Sequence, residues 1–276
     1  MSYKTKLIIL LTIPFYLLFS CSENHERKKE NILVPVNSSA FINYSVTNTF
    51  PHDTSLFTEG FLFHNGQLFE STGSPDNLPQ TRSMIGITDL VTGRFDKKIE
   101  IDRAKYFGEG IVFLKNKLYQ LTYTNQVGFI YDANSFKMTG KFTYKNIQGW
   151  SLTTDGINLI MSDGTDVITF LDPEKFNPVK IITVTENKIP RDNLNELEYI
   201  KGFIYANIWQ NNTILKIDPA TGNVVGKIDL GSLKYEANQK NPRADVLNGI
   251  AFDSLNDKIY VSGKLWANIY QINFSH

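Results

Sequence analysis

Cysteine is all but missing from this chain: Cys21 is the only one among 276 residues. That excludes a disulfide framework, and it leaves the body of the chain without thiol catalysis or a Cys-based metal site. Net charge is missing too, because 28 basic side chains balance 28 acidic ones. Nothing therefore points to nucleic acid or an anionic surface, and a neutral or small uncharged partner fits better. The four histidines, His25, His52, His64 and His276, show no metal-ligand spacing. No Gly-rich phosphate loop follows a strand and opens a helix. Helix-period patterns are scarce after residue 40, and the apolar run Leu7–Phe19 is too short to span a bilayer comfortably.

That run has another meaning. Lys4 and Lys6 precede it, as expected of an export signal over residues 1–20. It ends Leu18-Phe19-Ser20-Cys21, which resembles a bacterial lipobox. Cleavage before Cys21 would accompany its acylation, and several acyl chains would hold the protein stably to a membrane. The expected location is the periplasm or cell surface of a bacterium, with contact to the membrane only through the lipid. Residues 21–40, beginning at the lipidated cysteine and rich in Glu, Asn, Lys and Ser, read as a hydrophilic tether.

What the rest of the chain has in abundance is repetition. A short apolar strand, a tight turn and a second strand recur five times. The units open at Phe57-Thr58-Glu59-Gly60, Phe107-Gly108-Glu109-Gly110, Ile147-Gln148-Gly149-Trp150, Leu194-Asn195-Glu196-Leu197-Glu198 and Leu247-Asn248-Gly249-Ile250-Ala251. Spacings of roughly 40–50 residues match a four-stranded propeller blade. Asn65-Gly66 between two apolar runs is the strongest of the hairpin signals. The fold class is therefore all-β: one five-bladed β-propeller over residues 41–276, with four antiparallel strands per blade. Blade five has three strands near the C-terminus, and Ile42–Phe50 supplies its fourth, closing the ring and protecting edge strands. The stretch 230–246 reads as a long loop.

A propeller gathers equivalent blade positions around one channel. The openings put Glu59 and Glu109 in one Phe-X-Glu-Gly frame, with Gln148, Asn195, Glu196 and Asn248 in related places. Innermost strands built for structure alone would carry small or apolar residues there. Solvated acids and amides at a wet channel mouth are the plainer explanation for any one of them. Together, beside Trp150, Trp209 and Lys264, they mark a site.

The chain resembles the plant-type glutaminyl cyclotransferases, which also occur in bacteria and form five-bladed propellers. Beyond the five openings, the resemblance rests on Gly149-Trp150-Ser151-Leu152-Thr153-Thr154-Asp155-Gly156, Ser162-Asp163-Gly164, Tyr205-Ala206-Asn207-Ile208-Trp209-Gln210 and Ser262-Gly263-Lys264-Leu265-Trp266. It implies that the α-amine of an N-terminal glutamine attacks its own side-chain carboxamide, leaving pyroglutamate and ammonia. The partners would be peptides or proteins with N-terminal glutamine, bound by a monomer. No catalytic metal or organic cofactor is implied, although a structural calcium in the channel is. Carried over by motif, Glu109 is the acid/base residue, with Lys264 and Asn195 the candidates for stabilising the oxyanion. Phe57, Tyr123, Trp150 and Trp209 would line the pocket, while Glu59, Asn195 and Lys264 would orient polar groups.

Four positions depart from the family pattern. Glu59 stands where glutamine is usual, and Gln148 where an acid precedes Gly-Trp, as though acid and amide had been exchanged between neighbouring blades. Tyr123 replaces a tryptophan and Ser262 a threonine. Two other functions fit a propeller. One is a non-catalytic exported adaptor binding a peptide or glycan in its channel. The other is a calcium-dependent lactonase, for which Asp163, Asp166 and Asp172 would have to converge on a hard cation, although their Asp-Gly and Asp-Pro settings mark turns.

Overall fold

The computed structural model describes residues 39–276. The expected leader, the lipidation at Cys21 and most of the tether lie outside the described residues. Blade one comprises Thr58–His64, Gln67–Thr72, Met84–Thr88 and Phe95–Glu100. Blade two follows with Gly108–Leu114, Lys117–Thr122, Val127–Asp132 and Met138–Thr143. Blade three has Ser151–Thr154, Leu159–Ser162, Val167–Leu171 and Pro178–Thr183. Blade four has Leu194–Ile200, Phe203–Ile208, Thr213–Ile217 and Val224–Asp229. Within each blade the strands pair antiparallel in sequence order.

Blade five is Leu247–Asp253, Lys258–Gly263 and Asn268–Phe274, completed by Tyr44–Pro51, which pairs antiparallel with Asn268–Phe274. The N-terminal strand closes the ring as the sequence requires. Two residues before it, Ala40–Phe41 pair parallel with Gly226 and Lys227 at the outer edge of blade four. Ala40, assigned to the tether, is therefore part of the folded unit.

First strands of successive blades pack side by side from blade one to blade five and back to blade one. The glycines of the openings explain how. A Cβ on Gly110 would lie 2.4 Å from the Ser151 Cα, and one on Gly60 2.9 Å from the Ile111 nitrogen. Inner strands are buried on both faces, whereas outer strands such as Phe95–Glu100 and Pro178–Thr183 face solvent along most of their length. The apolar core is correspondingly divided into five clusters, one between each pair of adjacent blades.

The turns obey local chemistry. Asn65-Gly66, Lys115-Asn116 and Lys201-Gly202 all have positive φ at both positions, as two-residue hairpins of this hand require. One expectation fails: within 230–246 lies a ten-residue helix, Gly231–Lys240. Only Leu233 and Ala237 of it are buried, against the blade four–blade five cluster. Two contacts leave almost no apolar periodicity to read.

Candidate active site

The residues of the site sit at bulges. The inner-strand ladders shift register between Thr58 and Gly60, Gly108 and Ile111, Leu194 and Leu197, and Leu247 and Ile250. A bulge re-aims the side chain it carries, and in these four blades it falls on the polar residue of the repeated opening. Serines tie two of the bulges to the preceding blade: Ser71 Oγ donates to the Glu109 carbonyl at 2.6 Å, and Ser162 Oγ to the Asn195 carbonyl at 2.7 Å.

Glu59, Glu109, Asn195 and Lys264 thereby line one cup of about 820 Å³ together with Phe57, Tyr123, Trp150 and Trp209. Gln148 lines it as well. Glu196 and Asn248 do not: the bulges at Leu194–Leu197 and Leu247–Ile250 turn them into the hub. There Glu196 accepts the Phe61 and Ile250 N–H groups at 3.4 and 2.8 Å, and Asn248 Nδ2 donates to the Thr58 carbonyl at 2.9 Å. These two are struts between blades.

At the floor of the cup Lys264 Nζ lies 2.7 Å from each oxygen of Glu59 and 4.6 Å from the centre of the Phe57 ring. Glu109 shares a hydrogen bond with Glu59. Both carboxyls are buried, at 5% and 2% exposure. Burial is the main force raising the Glu109 carboxyl well above the usual carboxylate range, and the Glu59 charge adds to it while Lys264 opposes. Burial also lifts Glu59, to about 7, against the pull of Lys264. Two carboxyls facing one cation keep one proton between them at neutral pH. Lys264, paired with Glu59, favours the charge there, and the proton is favoured on Glu109, whose carboxyl burial and the Glu59 charge both raise.

The walls are aromatic. Trp150 and Trp209 meet edge to face with centroids 5.9 Å apart, and Trp150 Nε1 donates to Gln148 Oε1 at 2.7 Å. Gly164, at φ +81°, lies against the Trp150 ring; a Cβ there would come within 2.5 Å of it. Phe107 bridges Phe57 and Tyr123, at 6.4 and 5.9 Å between centroids.

A glutamine cyclotransferase family model matches residues 15–274. The chain belongs to that family. A curated relative, the glutaminyl-peptide cyclotransferase of Arabidopsis thaliana, is 38% identical over 235 residues, which is 82% of this chain and 70% of that protein. The crystal structure of Myxococcus xanthus glutaminyl cyclase matches with a TM-score of 0.76 at 32% identity, covering 86% of this chain and 98% of that one.

Of the residues named from sequence for this cyclotransferase fold, Phe57, Glu59, Glu109, Tyr123, Gln148, Trp150, Asn195, Trp209 and Lys264 line the cup, Glu196 and Asn248 do not, and Cys21 lies outside the described residues. Glu59 and Gln148 both reach it, but from blades one and three, with blade two between them; the blades of the acid–amide exchange are not neighbours. Among the lining residues that the sequence did not single out are Phe107 and, at the mouth, Arg103, Asp76 and Ile147. Phe107 had a signal, since it occupies the frame position of Phe57. Ile147 heads the blade-three opening, whereas Arg103 and Asp76 had no signal, being ordinary loop residues until the loops are placed. Asp172 caps its own turn, accepting the N–H groups of Glu174 and Lys175 at 2.8 Å, and Asp163 accepts from Thr165 and Asn146. Among the described residues, no three Asp, Glu, His or Cys are grouped to hold a metal, so the lactonase reading has no donor set.

Proposed function

We propose that this protein is a glutaminyl-peptide cyclotransferase in which Glu109 is the acid/base residue for closing an N-terminal glutamine to pyroglutamate. The observation that carries the assignment is a buried carboxyl, Glu109, beside a second buried carboxyl, Glu59, that pairs with Lys264 at 2.7 Å, at the floor of an aromatic cup. The non-catalytic adaptor reading gives no reason for such a group.

The substrate's free α-amine has a pKa of about 7.7–8.0, so part of it is nucleophilic near neutral pH. It attacks the side-chain carboxamide carbon; the new C–N bond forms as the C=O electrons move to oxygen. Lys264 and Asn195 face that oxyanion, and a well-placed donor there is worth about 3–4 kcal/mol. Asn195 suits the role because it is buried and lines the cup, and its side-chain amide makes no hydrogen bond among the described residues. Glu109 gives its proton to the departing nitrogen, the old C–N bond breaks, and ammonia leaves. The ring nitrogen then returns a proton to Glu109, which ends as it began. Trp150, Trp209, Phe57 and Tyr123 exclude water and hold the aliphatic part of glutamine.

A structural calcium in the channel would have Glu196 and Glu198 as its carboxylates. Both already accept backbone N–H groups, Glu198 from Phe252 at 2.9 Å. A hard cation takes six to eight oxygens, so carbonyls or waters would have to join these two carboxylates, and no step of the reaction runs through it.

The reading extends to location. The leader ending at Ser20-Cys21 supports export and lipid attachment at Cys21, holding a monomer, whose ring closes within one chain, outside the cytoplasm of a bacterium. Fatty-acid labelling that is lost in Cys21→Ser would test the attachment.

For the chemistry, the full chain is expected to release ammonia from Gln-Gly. Glu109→Gln is expected to lose about 10²–10⁴ in kcat, with an unchanged circular dichroism spectrum. Full activity in that folded variant would remove Glu109 from the mechanism.

A further inference from the structure

The cup is larger than its reaction needs. Its volume of about 820 Å³ is that of a cavity enclosing a drug-sized ligand, whereas one glutaminyl residue suffices to engage Glu109, Lys264 and Asn195 at the floor. The mouth is therefore left for the residues after glutamine in the peptide. Its lining is uneven. Ile147 is 80% exposed and Trp209 41% exposed, while Arg103, Asp76 and Asp163 make other parts of the same cup polar.

Ile147 is held in that exposed position by its loop. Gln126 Nε2 donates to the Lys145 and Asn146 carbonyls at 3.3 and 2.9 Å. From the other side, Asn146 Nδ2 donates to Asp163 Oδ2 at 2.8 Å and Thr169 Oγ1 at 3.3 Å. Trp209 is fixed as well, its N–H bonded to the Asn193 carbonyl at 2.8 Å and its ring against Trp150. Two large apolar side chains thus stand in water on a fixed backbone at the exit of the site. A ligand that covers them gains apolar burial without ordering the loop.

We propose that Ile147 and Trp209 form an apolar subsite for the side chain of the second substrate residue, so that the enzyme prefers Gln-X peptides in which X is a large aliphatic or aromatic residue. This rests on the cyclase reading, which sends the glutamine inward and the rest of the peptide out past the mouth. Acidic second residues gain nothing on this patch and rank with glycine or below it.

The test is a kcat/KM series on the full-length protein with Gln-Gly, Gln-Ser, Gln-Asp, Gln-Leu and Gln-Phe. Gln-Leu and Gln-Phe are expected to exceed Gln-Gly by about tenfold, carried mainly by KM, as for binding energy shared by ground and transition states. In Ile147→Ser the Gln-Leu to Gln-Gly ratio is expected to fall to about two or three. A ratio taken within one variant does not depend on how much of that variant is folded. A flat series in the wild type, or a ratio unchanged in both Ile147→Ser and Trp209→Ser, would overturn the subsite. Gln-Gly turnover separates the two ideas: turnover with a flat series removes the subsite alone, and no turnover of any peptide removes the cyclase reading beneath it.

Discussion

Glu109 and Glu59 have the same side chain and different work, and only their neighbours distinguish them. Lys264 pairs with Glu59 at 2.7 Å, so Glu59 is the one that ionises and Glu109 the one that keeps the proton. The productive form, Glu59 charged and Glu109 neutral, exists between two titrations. Below about 7 Glu59 gains a proton, which gives kcat an acid limb; loss of the Glu109 proton at higher pH gives the alkaline one. Lys264→Met takes away the cation paired with Glu59. Glu59 then stays neutral well above 7, and a pH–rate profile is expected to show its acid limb displaced to higher pH, with kcat down by about 10²-fold or more. Gly164→Ala acts on the wall instead. Its φ of +81° disfavours a side chain, and the new methyl strikes Trp150. KM is expected to rise several-fold more than kcat falls, with a shift in tryptophan emission to report the moved ring.

At the scale of elements, the closure of blade five meets blade one through a buried ion pair. His52, just past Tyr44–Pro51, places Nε2 3.1 Å from Glu70 Oε2 and Nδ1 2.9 Å from the Trp266 carbonyl. Acceptors at both nitrogens make it an imidazolium. Burial works against that charge, yet the Glu70 charge and hydrogen bond with the Trp266 carbonyl outweigh burial and raise the histidine above 6.5. Glu70 also accepts from Thr58 and Thr88, at 2.7 and 3.0 Å, so the pair ties the segment before Glu59 to the segment after Lys264. His52→Leu leaves the Glu70 carboxylate buried without its partner, and urea unfolding is expected to register a loss of about 3–5 kcal/mol. The helix Gly231–Lys240 and the Ala40–Phe41 strand show the limit of reading elements from sequence. Each is defined by what it packs on: Leu233 and Ala237 on the neighbouring cluster, Ala40 on the edge of blade four. Neither carries enough periodicity of its own.

The whole molecule buries several acids, and its stability should follow them. Folded-state pKa values are raised for Glu59 to about 7, for Glu198 to about 8, and for Glu109 and Glu196 well above 4.5, with burial the main cause in each. His52 is raised as well. A raised folded pKa means that the native chain holds a proton the unfolded chain releases, so stability falls as pH rises through that interval. His64 and His276, lowered by burial, oppose this, but they are only partly buried. The expected result is a Tm that is highest near pH 5 and declines toward pH 8.5 in calorimetry. Glu198→Gln should flatten the upper part of that decline, and a Tm that rose steadily from pH 5 to 8.5 would contradict the assignment.

The sequence alone determined the five blades, the hairpin turns, the closing strand and the polar residue at each blade opening. These are local or periodic properties: turn residues, strand alternation and a repeat length each act within a few tens of residues. Glycine at Gly60 and Gly110 belongs with them, since the repeat itself demands a close approach. Which opening residues share the cup was decided by tertiary structure. Bulge geometry sends Asn195 into the cup and Glu196 into the hub, although they are adjacent in the chain. Likewise, only ring closure brings Lys264 of the last blade onto Glu59 of the first. Ile147 reaches the mouth only once its loop is placed. Charge and proton sharing depend on distances between groups far apart along the chain, and those distances exist only after the ring has closed.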